Sequence, residues 1–240
     1  MERLIETITY EKTPTVGDIG RSLQDAATHD AARRGAGQAE LEAKGCTWVA
    51  VKNRVELLRL PRAGERITVS TWPLKGRLGL YPRQYEMRSA DGELLVTAEA
   101  LWAIMDIDDR TMLPGSSRGI EFVEEEGRPG SMRKLRVPEG GWTFTLTPTA
   151  EQIDFNGHMN NVAYLDAIAG HLPESYRGQP LLSVAIDYEH ELPAGQSAEV
   201  RAVPQGDSIF FEGMLGEKCC FRLMETFRIA DRAESCEIFE

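Results

Sequence analysis

An α+β fold of two tandem units, each an antiparallel sheet wrapped around a single helix, is predicted by three observations on this 240-residue chain. A strand-like run, an apolar helix and a set of alternating runs occur twice in the same order. VELLRLPRAGERITVSTWP (residues 55–73) matches IDYEHELPAGQSAEVRAVP (residues 186–204): Leu60-Pro61 falls on Leu192-Pro193, Ala63-Gly64 on Ala194-Gly195 and Pro73 on Pro204. Between the two units, residues 107–140 are rich in Gly, Pro, Ser and charge and have little periodicity, which reads as a linker. The boundaries drawn are 1–112 for the first unit, 113–139 for the linker and 140–240 for the second unit.

Within the first unit, TYEKTPTVGDIG reads as a strand leading through Thr-Pro-Thr to Asp18. SLQDAATHDAARRG then sets Leu23, Ala26, Ala27 and Ala31 on one helical face, with Gly35 and Gly37 as the stop. Residues 55–73 read as a β-hairpin around a Pro/Gly turn, and a second hairpin passes through Asp91-Gly92. In the second unit, TLTPTAEQIDFN repeats the strand and the Thr-Pro-Thr. NNVAYLDAIAGHLP spaces Val162, Leu165, Ile168, Ala169 and Leu172 as a helix that Pro173 ends. Residues 186–204 read as the matching hairpin, followed by strands that turn at Gly216-Glu217. A sheet of about five strands with one apolar helix must curl around that helix to bury both. This is the hot-dog architecture, and a tandem hot-dog chain is expected, by analogy of fold, to pair its two sheets edge to edge.

The composition is that of a globular protein, with 42% hydrophobic and 27% charged residues. No stretch approaches the roughly 18 apolar residues of a membrane span. MERLIETITYEK alternates and carries charge, so no signal peptide is read and the cytoplasm is the expected compartment. Residues 1–120 hold 17 Lys+Arg and 17 Asp+Glu, so residues 121–240 carry the whole net charge of -11, which argues against nucleic acid as a partner. Residues 51–90 are locally basic, with nine Lys+Arg against Glu56, Glu65 and Glu86. They read either as a solvated sheet face or as a docking surface for an acidic partner. Cys46, Cys219, Cys220 and Cys236 have no paired spacing and are expected as free thiols. His29, His158, His171 and His190 have no metal-ligand spacing, and neither a metal nor another cofactor is expected.

The run IDFNGHMNN (residues 153–161) is far more polar than its neighbours. In an extended segment Asp154, Asn156 and His158 share a face, and in a helical one Asp154 and His158 lie a turn apart, so a carboxylate and an imidazole can meet either way. The run precedes a predicted helix, so it reads first as a cap. That position also suggests free helix N–H groups able to receive an oxyanion during acyl transfer. Aligning Asp154 with Asp18 puts Gly20 opposite Asn156 and Ser22 opposite His158. The first unit thus keeps a helix start and lacks the amide and the imidazole.

Taken together, GCTWVAVKNRVELLRLPRAGERITVSTWP, EALWAIMDIDDR and DFNGHMNN followed by Tyr164 make nearly the whole chain resemble the acyl-ACP thioesterases of double hot-dog type. The resemblance implies hydrolysis of a fatty acyl thioester on acyl carrier protein, whose phosphopantetheine-linked acyl chain would be the substrate. It implies Asp154, Asn156 and His158 as catalytic positions, and Glu191 in IDYEHE as a fourth. Where plant members have a cysteine after that glutamate this chain has Leu192, which favours direct attack by water over a cysteine nucleophile. Either Glu191 or Asp154 would be the base. Ala26 and Ala27 are expected to leave room for the acyl chain, with Asn160 and Asn161 also at the substrate. An acyl-CoA thioesterase and a non-catalytic module that binds acyl thioesters remain as alternatives, and a homodimer is left open.

Overall fold

The computed structural model describes residues 3–121, 125, 130 and 132–229. In chain order β1 (Leu4–Thr9) leads into α1 (Val16–Arg33) and the short α2 (Gln38–Glu42). Then come β2 (Cys46–Leu57), β3 (Arg66–Pro73), β4 (Leu80–Ser89), β5 (Leu94–Asp106) and the two-residue β6 (Met112–Leu113), which folds back on β5. The second half opens with β7 (Trp142–Leu146) and a 3-10 turn at Ala150–Gln152. It continues with α3 (Ala163–Ala167), β8 (Leu181–Tyr188), β9 (Ala198–Gln205), β10 (Ser208–Leu215) and β11 (Lys218–Phe227).

The strands run β1-β3-β4-β5-β2-β8-β11-β10-β9-β7 across one sheet, so the second half repeats the order of the first in mirror sequence. The halves meet where β2 and β8 pair antiparallel, with Lys52 opposite Asp187 and Glu56 opposite Ser183. The α+β tandem hot-dog architecture is therefore present, and the sheets join edge to edge.

Two local expectations are corrected. Residues 55–73 and 186–204 are not hairpins: β2 pairs with β5 and β8, whereas β3 pairs with β1 and β4, and β8 and β9 are likewise apart. Alternation identifies a strand and its buried face, but not its neighbour. Here the Pro/Gly segments carry the chain across the sheet. The turns at Asp91-Gly92 and Gly216-Glu217 do join neighbours, β4 to β5 and β10 to β11. The second helix is also much shorter than its apolar spacing predicts, five residues and then a 3-10 turn at Ala169–His171.

Helix α1 starts at Thr15, whose hydroxyl accepts the Asp18 N–H while the Asp18 carboxylate accepts the Thr15 N–H, a complete capping box. Its inner face sets Ile19, Leu23, Ala26 and Ala27 against Ile67, Val69, Met87 and Val96 of the sheet. Burying a side chain such as Ile19 or Leu23 contributes about 1.5–3 kcal/mol. The second core is built of larger pieces, with Tyr164, Leu165 and Ile168 over Phe211, Phe221 and Leu223.

Polar contacts lock the halves together. The Gly17 N–H at the start of α1 donates to the Asp166 carboxylate of α3 at 3.2 Å, and a Cβ at Gly17 would stand 2.1 Å from that carboxylate. At the seam, Asp187 accepts from Lys52 (3.1 Å), Arg54 (2.7 Å) and the Leu135 N–H (2.7 Å). Burial alone would push its carboxyl up, but these bonds hold it below the usual range. The described part of the linker is thus tied to the body through Leu135, and also by Gly130 N–H to Glu99. Cys46, Cys219 and Cys220 are buried free thiols, with Cys219 pushed up to about 11 by burial; Cys236 lies outside the described residues.

Candidate active site

The polar run folds as a tight loop between a 3-10 turn and the start of α3, with Asp154 well ahead of the helix. Thr149 and Gln152 form a capping box like that of Thr15, but the 3-10 turn they open ends at Ile153. The Asp154 N–H then donates to the His158 carbonyl (3.0 Å) and the Gly157 N–H to the Asp154 carbonyl (3.0 Å). Gly157 closes the turn at φ +81, where any other residue type would be strained. Two backbone bonds pin the loop to the segment after β8: Met159 N–H to the Leu192 carbonyl (2.8 Å) and Ala194 N–H to the Gly157 carbonyl (3.0 Å). Those bonds bring residue 191 beside residue 158.

Asp154 is therefore not a helix cap. Its Oδ1 accepts the Asn156 N–H of its own loop at 2.8 Å. At the N-terminus of α3, Asn160 accepts the Val162 N–H on its side chain (3.0 Å) and the Ala163 N–H on its carbonyl (2.9 Å).

Asp154, His158 and Glu191 form a chain of contacts. His158 Nδ1 lies 3.7 Å from Asp154 Oδ2, and its Nε2 lies 3.3 Å from Glu191 Oε1. The same Glu191 oxygen is ion-paired to Arg110, which the turn after β5 delivers from the first half with an unusual φ of +60. The Asp106 carboxylate shapes that turn by accepting the Asp108 and Asp109 N–H groups, and the Asp109 carboxylate accepts the Thr111 N–H. Arg110 belongs to the phrase EALWAIMDIDDR, yet nothing in its local pattern marks it, because its partner lies 81 residues away.

A cleft of about 380 Å³ runs from this loop into the first half. Asp154, Phe155, Asn156, Asn160 and Asn161 of the loop line it, as do Ala27, Thr28 and Ala31 of α1 and Arg34 just after that helix. Trp48, Tyr81, Trp102 and Arg83 also line it. His158 and Glu191 are outside this lining, behind Asp154. Of the two alanines expected at the substrate, Ala27 faces the cleft, whereas Ala26 is fully buried in the first core. The helical spacing of those two residues identifies an inward face but cannot separate its cleft side from its core side. Asn161 is further held through its carbonyl, which accepts the Tyr188 hydroxyl at 2.7 Å.

The basic run is mostly spent inside the chain. Lys52 and Arg54 pair with Asp187, Arg59 with Glu65 and Glu93, Arg83 with Asp30, and Arg88 with Glu86. Arg62, Arg66 and Arg77 remain exposed.

Comparison with known proteins agrees with this architecture. The model for the acyl-ACP thioesterase N-terminal domain matches residues 3–114, and that for the C-terminal domain of the same family matches residues 142–217. A chloroplastic acyl-[acyl-carrier-protein] hydrolase of Cuphea viscosissima is 28% identical over 60% of this chain and 38% of its own length. Oleoyl-acyl carrier protein thioesterase 1 of Arabidopsis thaliana is 26% identical over 75% of this chain and 56% of its own length. The chain thus spans between about two fifths and just over half the length of these relatives. Among solved structures, an acyl-ACP thioesterase from Bacteroides thetaiotaomicron superposes with a TM-score of 0.84 at 23% identity, covering 94% of this chain and 98% of that one. The 12:0-ACP thioesterase from Umbellularia californica superposes at 0.81 and 20% identity, covering 95% and 98%. At these identities the two structures bear on the fold.

Proposed function

From the acyl-ACP thioesterase family, to which this chain belongs, we propose that it hydrolyses the thioester of an acyl chain on acyl carrier protein and releases the free acid. The observation that carries this reading is that Asp154 and Asn156 line the same cleft as the small-residue face of α1. A reacting carbonyl and an apolar tail then have adjoining places.

Asp154 is the base in this reading, because it is the carboxylate that reaches the cleft. It takes a proton from water as the water oxygen attacks the thioester carbonyl carbon. The Asn156 amide donates to the carbonyl oxygen as it gains charge. Collapse of the tetrahedral intermediate breaks the C–S bond, and the proton held at Asp154 passes to the departing sulfur. His158, between Asp154 and Glu191, orients the base, and Glu191 with Arg110 orients His158 in turn. Among the described residues no cysteine takes part: Cys46, Cys219 and Cys220 are buried, and Leu192 fills the position after Glu191.

The test is free-thiol release from acyl carrier protein and from coenzyme A carrying the same acyl chain. Higher kcat/KM on the carrier protein is expected. Equal or faster turnover of the coenzyme A thioester would make an acyl-CoA thioesterase the better description, and binding without thiol release would make the chain a non-catalytic module.

A further inference from the structure

One wall of the cleft is unlike an acyl-chain tunnel. Along α1 the lining passes from Gln24 through Ala27, Thr28 and Ala31 to Arg34, ten residues or about 15 Å of helix. The Gln24 end belongs to the catalytic loop, since Gln24 and Asn161 also border one small void of about 30 Å³. At the other end stand Arg34 and Arg83, with side chains only 1% and 8% exposed.

Both guanidinium groups are anchored on Asp30, which is fully buried: Arg34 Nε at 2.7 Å and Arg83 Nη1 at 2.8 Å. Burial alone would push the Asp30 carboxyl up, and the bonds from Arg34 and Arg83 hold it below the usual range, so it is an anion. Arg83 Nη1 also donates to Thr71 Oγ1 at 3.2 Å. Among the described residues the Nε and Nη2 groups of Arg83 donate to nothing, and Arg83 lines the cleft.

A guanidinium stays charged wherever it is placed. A terminal methyl packed against one would strip its water and give no bond in return. An oxygen at the same place accepts a charge-assisted hydrogen bond. We propose that the Arg34–Arg83 end of the cleft is a subsite for an oxygen acceptor, and that the preferred substrate is an acyl chain bearing a hydroxyl or carboxylate at its far end. This rests on the hydrolase reading above and narrows its substrate class.

The test compares three thioesters of one length on the full chain, for example decanoyl, 10-hydroxydecanoyl and the mono-thioester of decanedioic acid, repeated in the octanoyl and dodecanoyl series. An oxygenated chain is expected to have a kcat/KM about tenfold or more above the plain chain at one of these lengths, as one charge-assisted bond in a buried site would supply. A hydroxyl preferred over a carboxylate indicates hydrogen bonding alone, and the reverse indicates charge pairing. In Arg83→Met the ratio falls towards one, and in Arg83→Lys it is partly kept. Should Arg83→Met fail to fold, the wild-type comparison decides. Plain chains hydrolysed as well as or better than oxygenated ones at every length would overturn this subsite alone. No thiol release from any thioester would overturn the hydrolase reading and this inference with it.

Discussion

The starts of the two helical segments are the most instructive pair of regions in the molecule. Both follow Thr-Pro-Thr, and both open with a capping box, Thr15 with Asp18 and Thr149 with Gln152. After Thr15 the chain continues through 18 residues of helix; after Thr149 it makes one 3-10 turn and leaves the helical path at Ile153. The structurally equivalent pair is therefore Asp18 and Gln152, not Asp18 and Asp154. Residues 153–161 occupy chain that the first half uses for helix, and only five residues of α3 remain. What is lost in helix is regained by pinning the loop to Leu192 and Ala194 and by a core of tyrosine and phenylalanine. One design thus yields a scaffold half that shapes the cleft and a half whose backbone is bent to present Asp154 and Asn156.

That contrast is broken most strongly at the loop. Asp154→Asn keeps the shape and the bond to the Asn156 N–H but cannot accept the proton, and thiol release is expected to fall about 10²–10⁴-fold with an unchanged thermal midpoint. Asn156→Ala is expected to cost about 10²–10³-fold in kcat, as for a single oxyanion donor. Normal turnover by both variants would remove the loop from the chemistry. Arg110→Ala tests whether the first half contributes to the site beyond the cleft wall. It should lower kcat about tenfold with KM little changed, and Arg110→Lys should restore part of it, because a lysine keeps the charge but not the fork. A pure KM effect would instead place Arg110 on the substrate.

The two halves also differ in how they bury an acid. Asp30 is surrounded by arginines, whereas Glu225, 2% exposed in the second core, has an Oε2 without a hydrogen-bond partner among the described residues. Burial pushes Glu225 up to about 8 from 4.5. Between those values the native chain holds a proton that the unfolded chain has lost, so this group's contribution to stability falls as pH rises across that window and levels off above it. Glu225→Gln, neutral at every pH, is expected to match the wild type near pH 5 and to exceed it by about 1–3 kcal/mol near pH 8.5 in denaturant titrations. A pH-independent difference would mean the carboxyl is not the titrating group. Asp30→Asn should act in the opposite sense, destabilising by about 3–5 kcal/mol at neutral pH, because it leaves buried arginines without their anion.

The smallest expected effect is the most direct reading of the comparison. Thr15→Ala removes the cap of a long helix and should cost about 1 kcal/mol. Thr149→Ala removes the same cap from a single turn and should cost less. Equal costs would show that the loop depends on its cap as much as the helix does.

Much of this was legible in the sequence for local reasons. The tandem repeat, the alternating strands, the inward face of α1 and the surplus polarity of IDFNGHMNN depend on residue type and spacing over a few positions, which is how helices and strands choose the side they bury. Gly157 marks its turn because only glycine holds φ +81 without strain. The tertiary structure decided what depends on distant partners. Strand order overruled two hairpins, since covering the helix requires β2 and β8 to meet at the centre of the sheet. Asn160, and not Asp154, accepts N–H groups at the start of α3. Arg110 finds Glu191 across 81 residues, and Arg34 and Arg83, ordinary basic residues in the chain, converge on Asp30 at the far end of the cleft. A pattern of a few residues encodes which way a side chain points, whereas its companions are fixed only when the whole sheet has closed.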